Sequence, residues 1–322
     1  MARSGSYDWS LAGDAIIRGA IRIVKGMGGS PPDGNKSAAE EITDGREALN
    51  MMLKDWQSQG MGLWLNKEII VFLAYHDGEY SLGSSGDHAT LTLVETELSS
   101  SAASGASSIE VDSDDGISDG DVIGIELDDN TLQWTTVNGT PSSDTVALDA
   151  ALTDDCAENN NVYTYTTKSQ RPLEVRSASL YHDDGTETPL YMCSRQEWDD
   201  LPNKSYNGVP SQVYYDPQLD SGILNVWPRP STVDNYIKLN CRYPIQDIDA
   251  AANDPDFPAE VQRAVKFNLA VDIAPEYNYA DSNTFIARYQ LLERKAAELF
   301  NSMMAYDTEY GSYFFEAEDA HH

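Results

Sequence analysis

Positive charge is what this 322-residue chain has least of: 21 Lys and Arg stand against 53 Asp and Glu, a formal net charge of −32 at pH 7. Between Lys67 and Lys168 there is no Lys or Arg at all, while twenty Asp and Glu fall in that interval. Such a surface does not track a phosphate backbone, because that contact works through Lys and Arg displacing counterions. It reads first as a heavily solvated β surface, as suits a saline environment; an acidic wall that keeps a passing duplex from sticking is the alternative.

Cysteine is scarce too. Cys156, Cys193 and Cys241 are three, far apart and without a C-x-x-C pair, which excludes a disulfide framework or a thiolate zinc site and fits a reducing compartment. Long apolar runs are missing. The most apolar early stretch, 15–24, is interrupted by Arg18 and Arg22, so it reads as neither a signal segment nor a membrane span. A soluble, unexported chain is expected, with no membrane contact.

Catalytic signatures are absent as well. No P-loop or G-x-G-x-x-G occurs, which removes the nucleotide patterns; a G-x-S-x-G match at 116–120 (GISDG) falls in a Ser/Thr/Asp/Gly-rich turn stretch, without the strand-to-helix setting that a nucleophile elbow requires. The run 112–116 (DSDDG) resembles the start of a calcium loop, but its twelfth position is Ile123 where an EF-hand needs Glu, and it reads as a solvated turn. His76, His88 and His182 have no ligand-like spacing. Carboxylates are so numerous that any glycosidase-like pair is expected by chance. The expectation is a protein without catalytic residues, bound metal or cofactor.

What is present is a pattern of elements. Ile16, Ala20, Ile23 and Met27 recur at helical spacing, with Gly28 and Gly29 as the stop. Ser37 and Glu40 form a capping box opening a second helix, whose apolar face is Ile42, Leu49, Met52, Leu53 and Trp56 and whose C-terminal stop is Gly60. Residues 87–167 are rich in Ser, Thr, Asp and Gly, with short alternating runs separated by turns such as Asp115-Gly116 and Asn138-Gly139, a small all-β module. A second β-rich region follows, ending in the alternation of Ile237, Leu239, Cys241 and Tyr243 with Tyr236, Lys238, Asn240 and Arg242. Helices return with Pro258 at N1, and the last carries Phe285, Tyr289, Leu292, Ala296, Leu299 and Met303, ending at about Met304. The fold class expected is α+β: a helical bundle core from the two chain ends, a β-rich middle region and an inserted all-β module. The divisions expected are 1–86, 87–167, 168–250, 251–305 and an extended tail at 306–322.

Five phrases in order carry a family resemblance: 48–60 (ALNMMLKDWQSQG), 171–175 (RPLEV), 213–217 (VYYDP), 222–228 (GILNVWP) and 257–277 (FPAEVQRAVKFNLAVDIAPEY). With the arrangement around them they resemble the head-to-tail adaptors of short-tailed bacteriophages, also described as packaged-DNA-stabilising tail accessory factors. The resemblance spans most of the chain outside 87–167, which reads as an insertion between Asp87 and Arg171. It implies a structural virion protein of the tail or neck, assembled in the host cytoplasm. It also implies a homo-oligomeric ring, usually of twelve subunits, docked beneath the portal protein. The tail nozzle or hub protein would bind below, with a tail fibre or spike as a further partner. DNA would pass through the lumen without specific binding.

In that family an extended C-terminal segment reaches into the portal. Here Tyr306, Tyr310, Tyr313, Phe314 and Phe315 lie among Glu309, Glu316, Glu318 and Asp319, and these five aromatics are the expected portal anchors. The alternative reading is a tail protein whose β module binds a host receptor or glycan, with Trp134, Tyr163 and Tyr165 as stacking platforms. Aromatics in strand patterns are more often core, which is the competing expectation for those three.

Overall fold

The computed structural model describes residues 10–31, 36–250 and 253–306. Five helices lie among them: α1 (Gly13–Gly26), α2 (Ala38–Ser58), α3 (Arg195–Asp199), α4 (Ala259–Ile273) and α5 (Ser282–Tyr306). The chain divides into two compact units, one of residues 66–243 and the other of the two segments flanking it.

The flanking unit holds α1, α2, α4 and α5 around a core of Ile16, Ile17, Leu49, Leu53, Trp56, Val265 and Leu269. Local chemistry sets the ends of α2. The Ser37 N–H donates to Glu40 Oε2 at 2.7 Å and the Glu40 N–H to Ser37 Oγ at 3.3 Å, satisfying two backbone donors that a helix start leaves unpaired. Those bonds, the backbone one first, hold the Glu40 carboxyl below its ordinary range. At the other end Gly60 takes φ +103°, the left-handed turn that glycine adopts without a Cβ penalty. Gly45 lets α1 approach closely, since a Cβ there would lie 2.6 Å from Ile17 Cγ2. At α4, Pro258 is the N-cap, one residue before the N1 position expected for it.

Among the described residues of this unit two carboxylates are buried, and each has a cationic partner. Asp14 is 6% exposed and receives Arg46 Nη2 at 2.9 Å. Glu41, also 6% exposed, receives Lys25 Nζ at 2.6 Å. A buried carboxylate without such a donor would carry its full desolvation cost.

The other unit is built on an eight-stranded mixed sheet. Its order is Glu79–Leu82, Gly222–Trp227, Gln212–Asp216, Glu187–Met192, Glu174–Tyr181, Tyr236–Arg242, Asn66–Phe72 and Ala89–Thr90. All neighbours are antiparallel except Glu187–Met192 and Gln212–Asp216. In the central pair Leu239 faces Ala178 and Ile237 faces Leu180, with a bulge between Val175 and Ser177. Ile69, Val71, Leu180, Val213, Leu224, Val226, Ile237, Leu239 and Cys241 line one face and are buried, as period-two alternation requires. Residues 87–167 add a four-stranded antiparallel sheet in the order Val94–Glu97, Asn161–Tyr165, Val122–Glu126, Leu132–Thr136. A separate small core forms there around Leu98, Ile109, Ile123, Ile125, Val146 and Val162.

This overturns the expected fold class. The chain is mostly β: eighteen strands against five helices among the described residues. A helical bundle is not the core on which β material is inserted. The eight-stranded sheet closes its own hydrophobic core, and the strand Asn66–Phe72 lies inside that sheet. Helices at both ends of a chain show only what brackets the β region in sequence. That the β region closes cores of its own is decided by strand pairing, and the pairs join strands up to about 170 residues apart, such as Asn66–Phe72 with Tyr236–Arg242.

Candidate functional site

Of the five expected portal anchors, Tyr306 is the last residue of α5, so the helix runs two residues past its expected end. Tyr310, Tyr313, Phe314 and Phe315 lie outside the described residues. Two grooves on the described part of the helical unit bear on docking. One, of about 700 Å³, runs along α2 beside residues 247–249 and includes Arg46, Asn50, Met51 and Lys54. Its wall is tied to the helix: Asn50 Nδ2 donates to Ile248 O at 3.1 Å, the Ile248 N–H returns to Asn50 Oδ1 at 3.0 Å, and Lys54 Nζ meets Asp247 Oδ1 at 2.9 Å. Met51 projects there, 60% exposed. The second, of about 310 Å³, lies between α4 and α5 with Arg263, Leu299 and Met303 on its walls, near the end of α5.

The three aromatics of the glycan alternative fare differently from one another. Tyr163 and Tyr165 are 1% and 2% exposed and belong to an aromatic cluster with Phe72 and Tyr236, which project from the large sheet. Their rings lie 5.2 and 6.0 Å from Phe72. They are core, and offer no platform. Trp134 is half-buried, stacked on His88 with centroids 3.9 Å apart and planes 6° apart. Its other side lies over Gly124, its register partner, where an added Cβ would come within 2.6 Å of the ring. The glycine is the missing side chain that lets the indole lie flat across the strand.

His88 therefore sits between Trp134 and Tyr165, with Nδ1 2.6 Å from the Tyr165 hydroxyl. Sequence spacing gave His88 no role, because its partners come from strands 46 and 77 positions away. Burial, and then the charge of Lys168, push its imidazole down from 6.5 to about 4. The folded chain thus refuses a proton that the unfolded chain accepts. Stability from this group is complete above about pH 6.5 and declines as the pH falls toward 4, by on the order of 1–3 kcal/mol once partial exposure is allowed for. Urea midpoints measured between pH 7 and pH 5 should fall in the parent. A His88→Asn variant should lose part of that slope, and an identical slope in both would contradict the assignment.

Beside this cluster lies a pocket of about 290 Å³ between the segment 72–80, residues 87–88 and the strand Leu132–Thr136. Tyr75 stands at it, 41% exposed and stacked on His76 at 3.8 Å. His76 takes φ +59° and donates its N–H to Pro230 O at 2.9 Å. A non-glycine residue in the left-handed region is costly unless its surroundings hold it.

Carboxylates gather at another edge of the module. Glu95, Glu97, Asp112 and Asp183 line one pocket, and Asn161 Nδ2 bridges Glu126 Oε2 and Asp183 Oδ1 at 3.1 Å each. Burial raises the Glu95 and Glu126 carboxyls above their usual range. Among the described residues no group of three or more His, Cys, Asp or Glu is placed to hold a metal ion. At the calcium-like turn, Asp114 and Asp144 each accept the other's backbone N–H at 3.3 Å, a pinned turn. All three cysteines are buried and unpaired, and burial raises their thiols. No helix among the described residues is long and apolar enough to cross a membrane.

The sequence matches no protein-family model and no curated protein. Among solved structures it has a likeness to the Gp54 tailspike of Acinetobacter baumannii bacteriophage AP22, solved in complex with A. baumannii capsular saccharide. That likeness covers 25% of this chain and 16% of the tailspike, at 19% identity and a TM-score of 0.22. A score of that size is below what two chains of one fold share.

Proposed function

We propose that this chain is a structural, non-enzymatic component of a bacteriophage tail, a head-to-tail adaptor that docks on the portal and carries the tail nozzle. What supports the reading is where four of the five resembling phrases fall. The second half of α2 (from 48–60) and α4 (from 257–277) are some 200 residues apart in sequence, yet Leu49, Leu53 and Trp56 share one core with Val261, Val265 and Leu269. The phrases 213–217 and 222–228 form adjacent antiparallel strands in which Val213 faces Val226 and Tyr215 faces Leu224. Phrases scattered along the chain therefore coincide with contacting elements, as expected when they encode a shared architecture. The acidic surface matches a lumen past which DNA slides.

Assembly on the portal tests it. Isolated protein is expected to be monomeric or weakly associated, and to form rings when purified portal is added, as seen by electron microscopy of the mixture. Stable rings without portal would contradict this order of assembly, and absence of binding would remove the adaptor reading.

A further inference from the structure

The pocket beside Tyr75 combines features that the adaptor reading does not use. Its walls are aromatic, from Phe72, Tyr80 and Trp134, and none of its lining residues is Lys or Arg. Asp77 and Asp87 each spend one oxygen on the backbone: Asp77 Oδ1 accepts the Glu79 N–H at 3.1 Å, and Asp87 Oδ2 accepts the Ser81 N–H at 2.7 Å. Those bonds fix both carboxylates and leave Asp77 Oδ2 and Asp87 Oδ1 without a partner among the described residues. His88 is held through Nδ1 and by the Trp134 stack, with Nε2 likewise unspent. The Tyr75 hydroxyl also lacks a partner among the described residues, and its ring is 41% exposed with one face stacked on His76.

We propose that this pocket is a binding site for a neutral pyranose sugar, with Tyr75 as the stacking surface and Asp77, Asp87 and His88 as hydrogen-bond partners of its hydroxyls. A sugar ring has an apolar C–H face that suits an exposed aromatic, and a rim of hydroxyl donors that suits fixed carboxylates. The volume lies at the lower end of small-ligand sites, which run roughly from 300 to 1,000 Å³, so a single ring is the unit bound. Two carboxylates with no cation on the wall repel an anionic sugar. The proposal stands on this pocket alone and does not depend on the portal.

Saturation-transfer NMR on the full chain tests it, with glucose, galactose and N-acetylglucosamine as probes and glucuronate as the anionic control. At least one neutral sugar should receive transfer with millimolar affinity, and glucuronate should receive little. Tyr75→Ala should weaken binding about tenfold while leaving the melting temperature and portal binding unchanged. Asp77→Asn keeps an acceptor for the Glu79 N–H, so it should fold normally; with one charge removed it should admit glucuronate better. No transfer from any neutral sugar would overturn the proposal. So would glucuronate binding as well as the neutral sugars, or full binding by Tyr75→Ala.

Discussion

Truncation after Ala305 is expected to weaken portal binding by on the order of 2–4 kcal/mol, roughly 30- to 1,000-fold in Kd, while changing the melting temperature of the isolated chain very little. The segment removed carries Tyr306, Tyr310, Tyr313, Phe314 and Phe315 with five acids and no Lys or Arg. Aromatics supply a large share of anchoring energy at protein interfaces, and the acids would meet basic groups on the partner. The described residues from Ile16 to Met303 form a core among themselves, and the melting temperature is expected to rest on that core. Surface plasmon resonance against immobilised portal, with a thermal melt of the same sample, separates the outcomes. Undiminished portal binding would sink the assignment of these anchors. A large drop in melting temperature would show that the segment belongs to its own subunit's fold.

Replacing Arg46 with Ala should cost about 2–4 kcal/mol of stability, since it strands Asp14 in the interior of the helical unit. The nearest remaining cation, Arg18, is 3.9 Å away, and its own side chain is 67% exposed, so it compensates only in part. Arg46 also donates to Asp249 O at 3.3 Å, a bond lost with it. Removing both charges in Asp14→Ala with Arg46→Ala should recover part of the loss, because no unpaired buried charge is left. Denaturant melts of the two single variants and the double variant give the coupling directly. A double variant no more stable than the sum of the singles would show that the cost is packing rather than charge.

The same distinction between local and long-range causes runs through the whole chain. Legible from sequence were features whose causes lie within a few residues. The Ser37–Glu40 capping box, the left-handed Gly60, the alternation of Ile237, Leu239 and Cys241, and the turns of the β module all follow from neighbouring residues. The charge distribution, the free cysteines and the apolar stripe of α2 were equally plain. The architecture was not. Tyr236 lies on the polar side of its strand's alternation, yet it is 5% exposed, because Tyr163 of the module covers that face at a ring distance of 6.1 Å. A period of two says which side a residue faces and nothing about what arrives to cover it. Trp134, Tyr163 and Tyr165 look alike in a strand pattern; only packing makes two of them core and seats the third between His88 and Gly124. The sequence alone therefore determined the local elements, their amphipathic faces and the sign of the surface, since those depend on short-range sterics, capping and composition. Tertiary structure alone decided that the molecule is mostly β, that Asp14 pairs with Arg46, and that Tyr75, Asp77, Asp87 and His88 share a pocket. Those outcomes depend on contacts between segments that nothing in their local sequence ties together.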